Sequence, residues 1–509
     1  MLLLPARLLG AKARSLQGGE LMDRSIYQSP FTRYSSKEML RLFSQDKKFS
    51  TWRELWIALA EAQRALGLNI TEQQIEEMKL YRDVINYDDA DRREREVRHD
   101  VMAHVYAYGL QARSAEKIIH LGATSCYVTD NTDILIMRDA LELIRSKLLG
   151  LIERLAFVAE EHKDTPTLGY THYQPATPTT VGKRASIWLQ DFMNDLRKLE
   201  FVMSELKMLG CRGATGSSET FMELFDGDEE KCKKLEFLIA KHFDFTDGEE
   251  EERALVYPVS GQTYPRSLDN SVLGALEAIA VSAHKMAQDI RLLQHDKEME
   301  EPFGKKQIGS SAMAYKRNPM RSERICSLSR HLTALKIEAG MTAATQMLER
   351  SLDDSAGRRI YIPEAFLTTD AVLILCTNVI DGCVVNDGVI NAHLNAELPF
   401  MAVEKIIMAA AKKGVSRQEA HEKTREISIE LGSMVKQGVL KQDEVSKAMA
   451  FRVSEAIPEL SFDEISEMFD ASGLIGRCPG QVTDYLEGEV YPLLISVGKA
   501  IITDTNVHV

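Results

Sequence analysis

The sequence is poor in the features that mark membrane, secreted and nucleic-acid-binding proteins. It contains no uninterrupted apolar run of the roughly 18 residues that a bilayer-spanning helix needs. Its seven cysteines are scattered and odd in number, which is typical of reduced thiols in an intracellular protein rather than of a disulfide framework. Acidic residues exceed basic ones by 76 to 62, so the chain lacks the basic surface that general nucleic-acid binding requires. We therefore expect neither a membrane nor a nucleic acid as partner.

The signatures of common cofactors and metals are missing as well. There is no GxxxxGK[ST] phosphate loop and no GxGxxG after a predicted strand, which argues against ATP and nicotinamide cofactors. His99 and His104 are five residues apart, so on a helix their side chains diverge and cannot share a metal as an i, i+4 pair does. No cysteine stands nearby at zinc-ligand spacing. The sequence thus predicts no metal site and no organic cofactor.

The N-terminal segment has an unusual composition. Residues 1–19 are leucine-rich, include Arg7, Lys12 and Arg14, and carry no acidic side chain, as transit peptides do. The same composition suits a disordered extension ahead of Met22. We favour an extension of residues 1–21, and with it a cytoplasmic protein.

Long amphipathic helices are what the sequence does contain. With 509 residues, of which 44 % are hydrophobic and 27 % charged, the chain is expected to form two or three globular domains. Apolar residues alternate at spacings of three and four within residues 134–158, 189–206, 272–293 and 325–335. Such stripes predict helices of about 30–45 Å that pack nearly parallel. Because the stripes are narrow, we expect the bundle to be shared between subunits.

The predicted fold is all-α and has three helical domains. An N-terminal helical domain covers residues 1–124, a central long-helix bundle covers residues 125–385, and a C-terminal helical domain covers residues 386–509. Strand signals are sparse. Segments rich in glycine, proline and threonine interrupt the long helices, which argues against a fibrous coiled coil.

Local signals predict where several helices begin. Asp130 and Asp133 are candidate N-caps of the first long helix, and Asp269 is a candidate N-cap of the third. Pro399 is expected to open a helix at residues 402–412. These are predictions about single boundaries, and they depend only on residues next to each helix.

Residues 309–319 form the most informative segment, with the sequence Gly-Ser-Ser-Ala-Met-Ala-Tyr-Lys-Arg-Asn-Pro. Glycine lets a backbone approach a ligand closely, and the serines provide hydroxyl and amide donors. Lys316 and Arg317 can neutralise a carboxylate or a phosphate. A polar loop ahead of a helix explains the same composition. Composition alone therefore leaves both a binding loop and a structural loop open.

Four further segments combine polar and charged groups, at residues 98–104, 122–125, 171–176 and 349–359. Each also has a purely structural interpretation. A histidine before an apolar helix is usually structural, hydroxyl residues often start helices, and clustered arginines often lie on a solvated face. His172 differs, because it stands in a loop rich in proline and threonine, which is a common functional setting.

The loop at residues 309–319 resembles the signature loop of the fumarase/aspartase superfamily, whose members expel fumarate from a substituted succinate. The usual loop has Gly-Ser-Ser, then Met-Pro, then a lysine and an asparagine. Here Ala314 replaces that proline, which frees the backbone but removes no polar group. Together with the four further segments, the order and content resemble the animal-type adenylosuccinate lyase family, from about Tyr27 to the C-terminal region.

This resemblance implies a reaction in purine biosynthesis. The family cleaves a C–N bond by β-elimination of fumarate, from adenylosuccinate to give AMP and from the succinyl-aminoimidazole-carboxamide ribotide to give AICAR. Such a reaction needs a general base, a general acid and positive charge or donors at a carboxylate. No cofactor is implied. The superfamily also implies a homotetramer with a helical core and active sites shared between subunits.

The resemblance further implies four catalytic residues: His99, His172, Ser310 and Lys316. Ser310 would be the general base, although chemistry alone does not separate it from Ser311, and His172 would be the general acid. Because a serine hydroxyl is a poor base, we expect loop amides, Lys316 and Arg317 to stabilise its alkoxide. The implied substrate-binding residues are Arg33, Tyr34, Arg98, Asp100, Thr124, Ser125, Thr171, Gln262, Asn318, Arg324, Arg350, Ser355 and Arg359.

Two alternatives compete with this interpretation. An argininosuccinate lyase would need a guanidinium site, which the many arginines at the proposed phosphate end disfavour. A catalytically silent scaffold, as the lens crystallins of this superfamily are, would predict loss of reactive positions, yet His99, His172, Ser310 and Lys316 are all present. Only Ala314 departs from the pattern.

Overall fold

A computed structural model describes residues 25–248, 253–498 and 501, and its architecture is almost entirely helical. This confirms the all-α prediction, whereas the predicted extension at residues 1–21 lies outside the described residues. The helices of the first half are α1 Phe31–Tyr34, α2 Lys37–Leu42, α3 Gln45–Ala65, α4 Glu72–Leu80, α5 Tyr87–Val97, α6 Asp100–Gln111, α7 Ser125–Glu161, α8 Val181–Ser204, α9 Glu219–Leu224 and α10 Glu229–His242. Those of the second half are α11 Ser267–His295, α12 Met320–Ala344, α13 Ser355–Asp381, α14 Asp387–Met401, α15 Val403–Lys412, α16 Arg417–Lys436, α17 Val445–Ala456, α18 Phe462–Glu467, α19 Cys478–Tyr485 and α20 Tyr491–Val497.

In the described part of the chain, every β-strand is two residues long and belongs to an antiparallel pair, and an isolated parallel bridge joins Met208 to Val256. The pairs are β1 Pro166–Thr167 with β4 Thr179–Thr180, β2 Tyr170–Thr171 with β3 Gln174–Pro175, β5 Thr246–Asp247 with β6 Arg253–Ala254, and β7 Met299–Glu300 with β8 Val384–Val385. Each pair shapes a connection between helices. The sparse strand signals of the sequence agree with this.

The core of the molecule is a bundle in which α7, α8, α11, α12 and α13 pack on one another. The predicted apolar stripes form its interior, since Leu141, Leu148, Leu189, Leu276 and Ile290 are fully buried. The 37 residues of α7 extend about 55 Å at 1.5 Å per residue. This helix is longer than expected because it begins at Ser125, ahead of the apolar stripe.

The capping predictions for the long helices are wrong. Asp130 and Asp133 lie inside α7, whose N-cap is Thr124, and Asp269 lies in the first turn of α11, whose N-cap position is Arg266. These carboxylates form buried ion pairs with distant arginines instead. Neither α7 nor α11 therefore begins at an aspartate N-cap.

The C-terminal helices α15 to α18 have an apolar core of their own, which includes Ile406, Leu431, Met449 and Ile465. The helix predicted at residues 402–412 is present as α15, but Pro399 does not open it, because this proline lies inside α14. The apolar core of the bundle also takes in buried residues of α2, α3 and α4. The domain limits after residues 124 and 385 stay predictions.

One segment, Leu352–Asp381, is long and apolar enough to cross a membrane. It contains α13, which lies at the centre of the bundle. In its most apolar window, 78 % of the surface is buried inside the protein, as expected of a helix in a protein core.

Candidate active site

The loop at residues 309–319, which we call the signature loop, lies between β7 and α12 and folds back on itself. Asn318 Nδ2 donates to the carbonyl oxygen of Gly309 at 2.6 Å. Glycine is required at position 309, because a Cβ there would stand 2.0 Å from the carbonyl oxygen of Lys316. The two ends of the loop are therefore closed onto each other.

Ser310 is partly buried within this closed loop. Its Oγ accepts hydrogen bonds from the backbone amides of Met313, at 3.1 Å, and Ala312, at 3.4 Å. Two amide donors stabilise negative charge on an oxygen. Ser311, in contrast, is exposed. The local geometry thus distinguishes two serines that chemistry alone did not separate.

The cations of the signature loop have different surroundings. Lys316 is exposed, whereas Arg317 forms an ion pair with Glu300 at 3.1 Å and its carbonyl oxygen accepts from Gln294 Nε2 at 3.0 Å. The side chain of Arg317 is nevertheless 56 % exposed, so its role at an alkoxide stays a prediction. Lys316 and Arg317 are both loop cations available to a ligand.

A second group of site residues surrounds the N-terminus of α7. Thr124 is the N-cap, without a side-chain capping bond, and Ser125 is the first helical residue. His99 Nε2 lies 3.4 Å from Ser125 Oγ. His99 Nδ1 accepts from the backbone amide of Met102 at 3.4 Å and lies 3.8 Å from Asp100 Oδ1. Free amides at a helix N-terminus attract anions, and His99 adds its imidazole there.

Arg98, Asp100 and Arg359 continue this group. Arg98 ends α5 in the left-handed region, with φ of 54°. Asp100 begins α6 and forms an ion pair with Arg359 of α13 at 3.4 Å. The guanidinium of Arg359 is 64 % exposed, so it keeps donors for a ligand. Helices α5, α6, α7 and α13 thereby converge at one polar surface.

Gln262 and Arg350 lie on two loops that touch each other. The Gln262 amide donates to the carbonyl oxygen of Glu349 at 2.9 Å, and Gln262 Nε2 donates to the carbonyl oxygen of Ala214 at 3.0 Å. Arg350 forms an ion pair with Asp354 at 2.8 Å, one residue before Ser355 opens α13. Gln262 also connects this region to α7, because its Oε1 accepts from Cys126 Sγ at 3.5 Å.

Beneath these residues lies a buried ion-pair network that the sequence did not reveal. Arg266 pairs with Asp130 at 2.9 Å and with Asp354 at 2.6 Å. Burial opposes the ionisation of Asp354, but Arg266 and Arg350 outweigh it and hold the pKa of this carboxyl below its ordinary value. Arg350 is thus fixed through the shared Asp354.

A second part of the network centres on Arg358. Its guanidinium pairs with Asp133 at 2.9 Å and with Asp269 at 2.7 Å, and Tyr264 donates its hydroxyl to Asp269 at 2.6 Å. Burial raises the pKa of Tyr264 well above its ordinary value, which keeps that hydroxyl a donor. The network ties α7, α11 and α13 together directly under the exposed Arg359.

The predicted acid, His172, lies at the tip of the β2–β3 hairpin. The turn residues His172 and Tyr173 have φ values of 51° and 62°, a conformation that normally selects asparagine or glycine. Both side chains are exposed, as is Thr171 on β2. Backbone strain of this kind clusters at functional sites.

Arg33, Tyr34 and Arg324 form a separate group. Arg33 and Tyr34 belong to α1, which packs on α13, and Arg324 of α12 lies 4.9 Å from the centre of the Tyr34 ring. A guanidinium held over an aromatic face keeps its donors free for an anion. His104, in contrast, is structural: it is buried, its ring stacks on Phe49 at 3.8 Å, and burial, then Arg53, lowers its pKa to about 4.

Within one chain these groups remain apart. Among the described residues, no hydrogen bond or ion pair joins Ser310, His172 and His99 to one another. Nor do those residues hold a group of three histidine, cysteine or carboxylate side chains fit for a metal ion. The sequence resemblance predicted the site residues, but not which of them contact each other.

Known proteins resemble this chain over most of its length. The pattern of the family described as lyase matches residues 47–333, and that of the adenylosuccinate lyase C-terminus matches residues 399–485. Adenylosuccinate lyase of Schizosaccharomyces pombe is 46 % identical over 489 residues, 95 % of this chain and 99 % of its own. That of Saccharomyces cerevisiae is 45 % identical over 472 residues, 92 % and 95 % of the two chains.

Solved structures agree on the fold. Fumarate lyase from Mesorhizobium sp. BNC1 superposes with a TM-score of 0.75 at 22 % identity, over 91 % of this chain and all of its own. The 3-carboxy-cis,cis-muconate lactonizing enzyme from Pseudomonas putida gives a TM-score of 0.77 at 20 % identity, over 91 % and 98 %. The sequence matches cover far more than half of the chain, and we conclude that it belongs to the adenylosuccinate lyase family.

Proposed function

We propose that the chain cleaves adenylosuccinate to AMP and fumarate, and the succinyl-aminoimidazole-carboxamide ribotide to AICAR and fumarate. The single observation that carries this proposal is the amide-bound hydroxyl of Ser310 in the signature loop. A β-elimination begins with removal of a proton beside a carboxylate. An alkoxide stabilised by two fixed amide donors is a base suited to that step.

The charge released by proton removal spreads into the substrate carboxylate. Thr124 and Ser125 place the free amides of the α7 N-terminus where an anion is favoured. Lys316 and the amide of Asn318 provide further donors from the signature loop. His99 directs its Nε2, which lies 3.4 Å from Ser125 Oγ, to the same region. We assign the carboxylate end of the substrate to this set.

The departing nitrogen needs a proton as the C–N bond breaks. Imidazole titrates near neutral pH, and His172 presents its ring at an exposed hairpin tip. We assign it the role of general acid. The phosphate and the purine nucleobase of the substrate would be bound by the remaining polar groups, which are Arg33, Tyr34, Arg98, Asp100, Thr171, Gln262, Arg324, Arg350, Ser355 and Arg359.

We also propose a homotetramer with shared active sites, and the same geometry supports it. The base, the acid and the anion-binding helix end lie in groups that do not touch within one chain, as described above. Large apolar side chains on the bundle are exposed as well, among them Phe201 at 66 %, Met341 at 65 % and Phe157 at 63 %. Contiguous exposed apolar surface marks protein–protein contact. Assembly would cover these faces and bring the groups together.

A cytoplasmic location is also part of the proposal. All seven cysteines are free thiols, and burial, the largest cause, raises the pKa of Cys126 to about 12. Reduced, inert thiols suit a reducing compartment. Fractionation of cells that express the full chain should recover it with cytoplasmic markers, and recovery in an organelle would contradict the proposal.

The decisive experiment is to incubate the purified chain with adenylosuccinate in buffer containing EDTA and follow ultraviolet absorbance and fumarate together. Equal amounts of AMP and fumarate are expected, with the Ser310→Ala variant as control. Activity in the chelator would exclude an accessible catalytic metal. A folded protein that leaves adenylosuccinate intact would overturn the proposal, and argininosuccinate would then be the next substrate to test.

A further inference from the structure

Lys48 is a cation near the candidate site that no sequence motif singled out. It lies in the first turn of α3 and is partly buried. Its ammonium stands 4.9 Å from the centre of the Trp52 ring and 5.2 Å from that of Phe49. The aromatic faces hold the side chain in place and exclude water from one side of it.

The charge of Lys48 acts on the same polar surface as Arg359. The pKa of Lys48 is lowered, first by burial and then by Arg359, while Asp133, Asp100 and Glu94 act in the opposite direction. The Phe49 ring next to this ammonium stacks on His104 at 3.8 Å. His104 lies on α6 one turn after Asp100, the ion-pair partner of Arg359. Lys48 therefore lies beside the helix convergence described above. Two neighbouring cations repel each other, and a positive charge at a helix N-terminus opposes the helix dipole.

The nearby acids do not account for this lysine. Asp100 is the ion-pair partner of Arg359, at 3.4 Å, and Asp133 is that of Arg358, at 2.9 Å. In the described part of the chain, the ammonium of Lys48 makes neither a hydrogen bond nor an ion pair. A partly buried ammonium that no carboxylate contacts is costly, and a bound anion would remove that cost.

We propose that Lys48 binds the phosphate group of the nucleotide substrate beside Arg359. This inference rests on the proposed function for the identity of the ligand. A phosphate carries more charge than one guanidinium neutralises, and lysine contributes to phosphate sites as a compact point charge. The carboxylates of the substrate have donors elsewhere, at the α7 N-terminus and in the signature loop.

The adjacent lysine provides a matched control. Lys47 is also in the first turn of α3, but its ammonium pairs with Asp139 at 3.2 Å, and both groups are about one-third exposed. Lys47→Met and Lys48→Met therefore remove the same charge from neighbouring positions. Lys48→Arg keeps the positive charge and changes only the length and shape of the side chain that carries it.

Binding is measured by calorimetry on the full-length chain, with AMP, adenosine and fumarate as separate ligands. Loss of a charge-assisted contact predicts that Lys48→Met weakens AMP binding at least about tenfold. Affinity for adenosine and fumarate should stay unchanged, because neither carries a phosphate. Lys47→Met should bind all three ligands as the unaltered chain does, and Lys48→Arg should retain most of the affinity for AMP.

Several results would overturn this inference. They are unchanged AMP binding by Lys48→Met, equal weakening toward AMP and adenosine, or weakening toward fumarate alone. Circular dichroism and the oligomeric state establish that each variant is folded, and Lys48→Gln replaces Lys48→Met if the latter is not. An unaltered chain that fails to bind AMP would also overturn it, whereas normal AMP binding without turnover would remove only the proposed function.

Discussion

Ser310 and Ser311 are adjacent hydroxyls in different surroundings. Two backbone amides donate to Ser310 Oγ, while Ser311 projects toward solvent. The sequence resemblance predicted a serine base but gave no chemical reason to choose between them. Lys48 was missed for a related reason: in the sequence it belongs to an Asp-Lys-Lys run typical of a surface. Only the folded chain brings Trp52 and Arg359 to it.

We expect Ser310→Ala to lower kcat by about 10²- to 10⁴-fold, the usual range for loss of a general base. Ser311→Ala should stay within about threefold of the unaltered chain, because its hydroxyl is not held by the loop amides. The initial rate of adenylosuccinate cleavage measures both. A larger loss in Ser311→Ala than in Ser310→Ala would reverse the assignment of the base.

At the scale of secondary-structure elements, periodic apolar residues predicted the long helices, because a helix stripe is encoded locally. The helix starts were predicted less well. Asp130 and Asp133 look like caps in the sequence, yet their partners Arg266 and Arg358 lie more than a hundred residues further along the chain. Long-range ion pairs leave no local signal. The helices were therefore predictable, and the network that joins them was not.

Arg358→Met should destabilise the protein strongly, by about 3–5 kcal/mol, because it leaves the fully buried carboxylate of Asp269 without its cation and removes the ion-pair partner of Asp133, whose side chain is 37 % exposed. Arg359→Met is the matched control: its guanidinium is 64 % exposed, so the melting temperature should change little. Thermal unfolding at one fixed scan rate compares the two variants. Equal melting temperatures would contradict the importance of the network.

A pH-dependent contact joins α3 to α10. His242 Nε2 lies 2.7 Å from Glu54 and its Nδ1 lies 3.6 Å from Glu61. The hydrogen bond to Glu54 raises the pKa of His242 above its usual 6.5, although burial acts against it. A raised histidine pKa gives stability that is fully present below the unfolded pKa and lost as the pH rises through the folded value.

His242→Gln should therefore cost up to about 1 kcal/mol at pH 6 and less at pH 8, where the histidine of the unaltered chain is losing its proton. Melting temperatures of both proteins at the two pH values provide the comparison. The charge of Glu54 does not change between pH 6 and pH 8, because its own pKa is lowered from 4.5 and the carboxylate is ionised at both pH values. A larger loss at pH 8 than at pH 6 would rule out this coupling.

At the scale of the whole molecule, one chain carries all the polar groups of the proposed reaction but does not assemble them. The signature loop, the His172 hairpin and the α7 N-terminus are separate surfaces, and apolar side chains such as Phe201 and Met341 are exposed on the bundle. Closed symmetric assembly is the usual way to cover such surfaces. The all-α fold was predictable from the sequence. That the signature loop, the His172 hairpin and the α7 N-terminus are separate could be seen only in the three-dimensional structure.

Mixing the inactive His172→Ala and Ser310→Ala chains, with dissociation and reassembly, should restore activity. If the acid and the base of each site come from different subunits, random pairing of equal amounts leaves about one quarter of the sites with both residues intact. The cleavage rate of the mixture relative to the unaltered protein measures this fraction. Confirmed subunit exchange without recovery would show that each site is built within one chain.

The hydrogen bond from Asn318 to the carbonyl oxygen of Gly309 also has an entropic consequence. Holding a free segment in one conformation costs about 1–2 kcal/mol per residue. Because the two ends of the signature loop are already joined before substrate arrives, that entropic cost is part of folding and does not recur in each catalytic cycle. A side chain at position 309 would separate the two ends, and Ser310 would then have to be ordered again in every turnover.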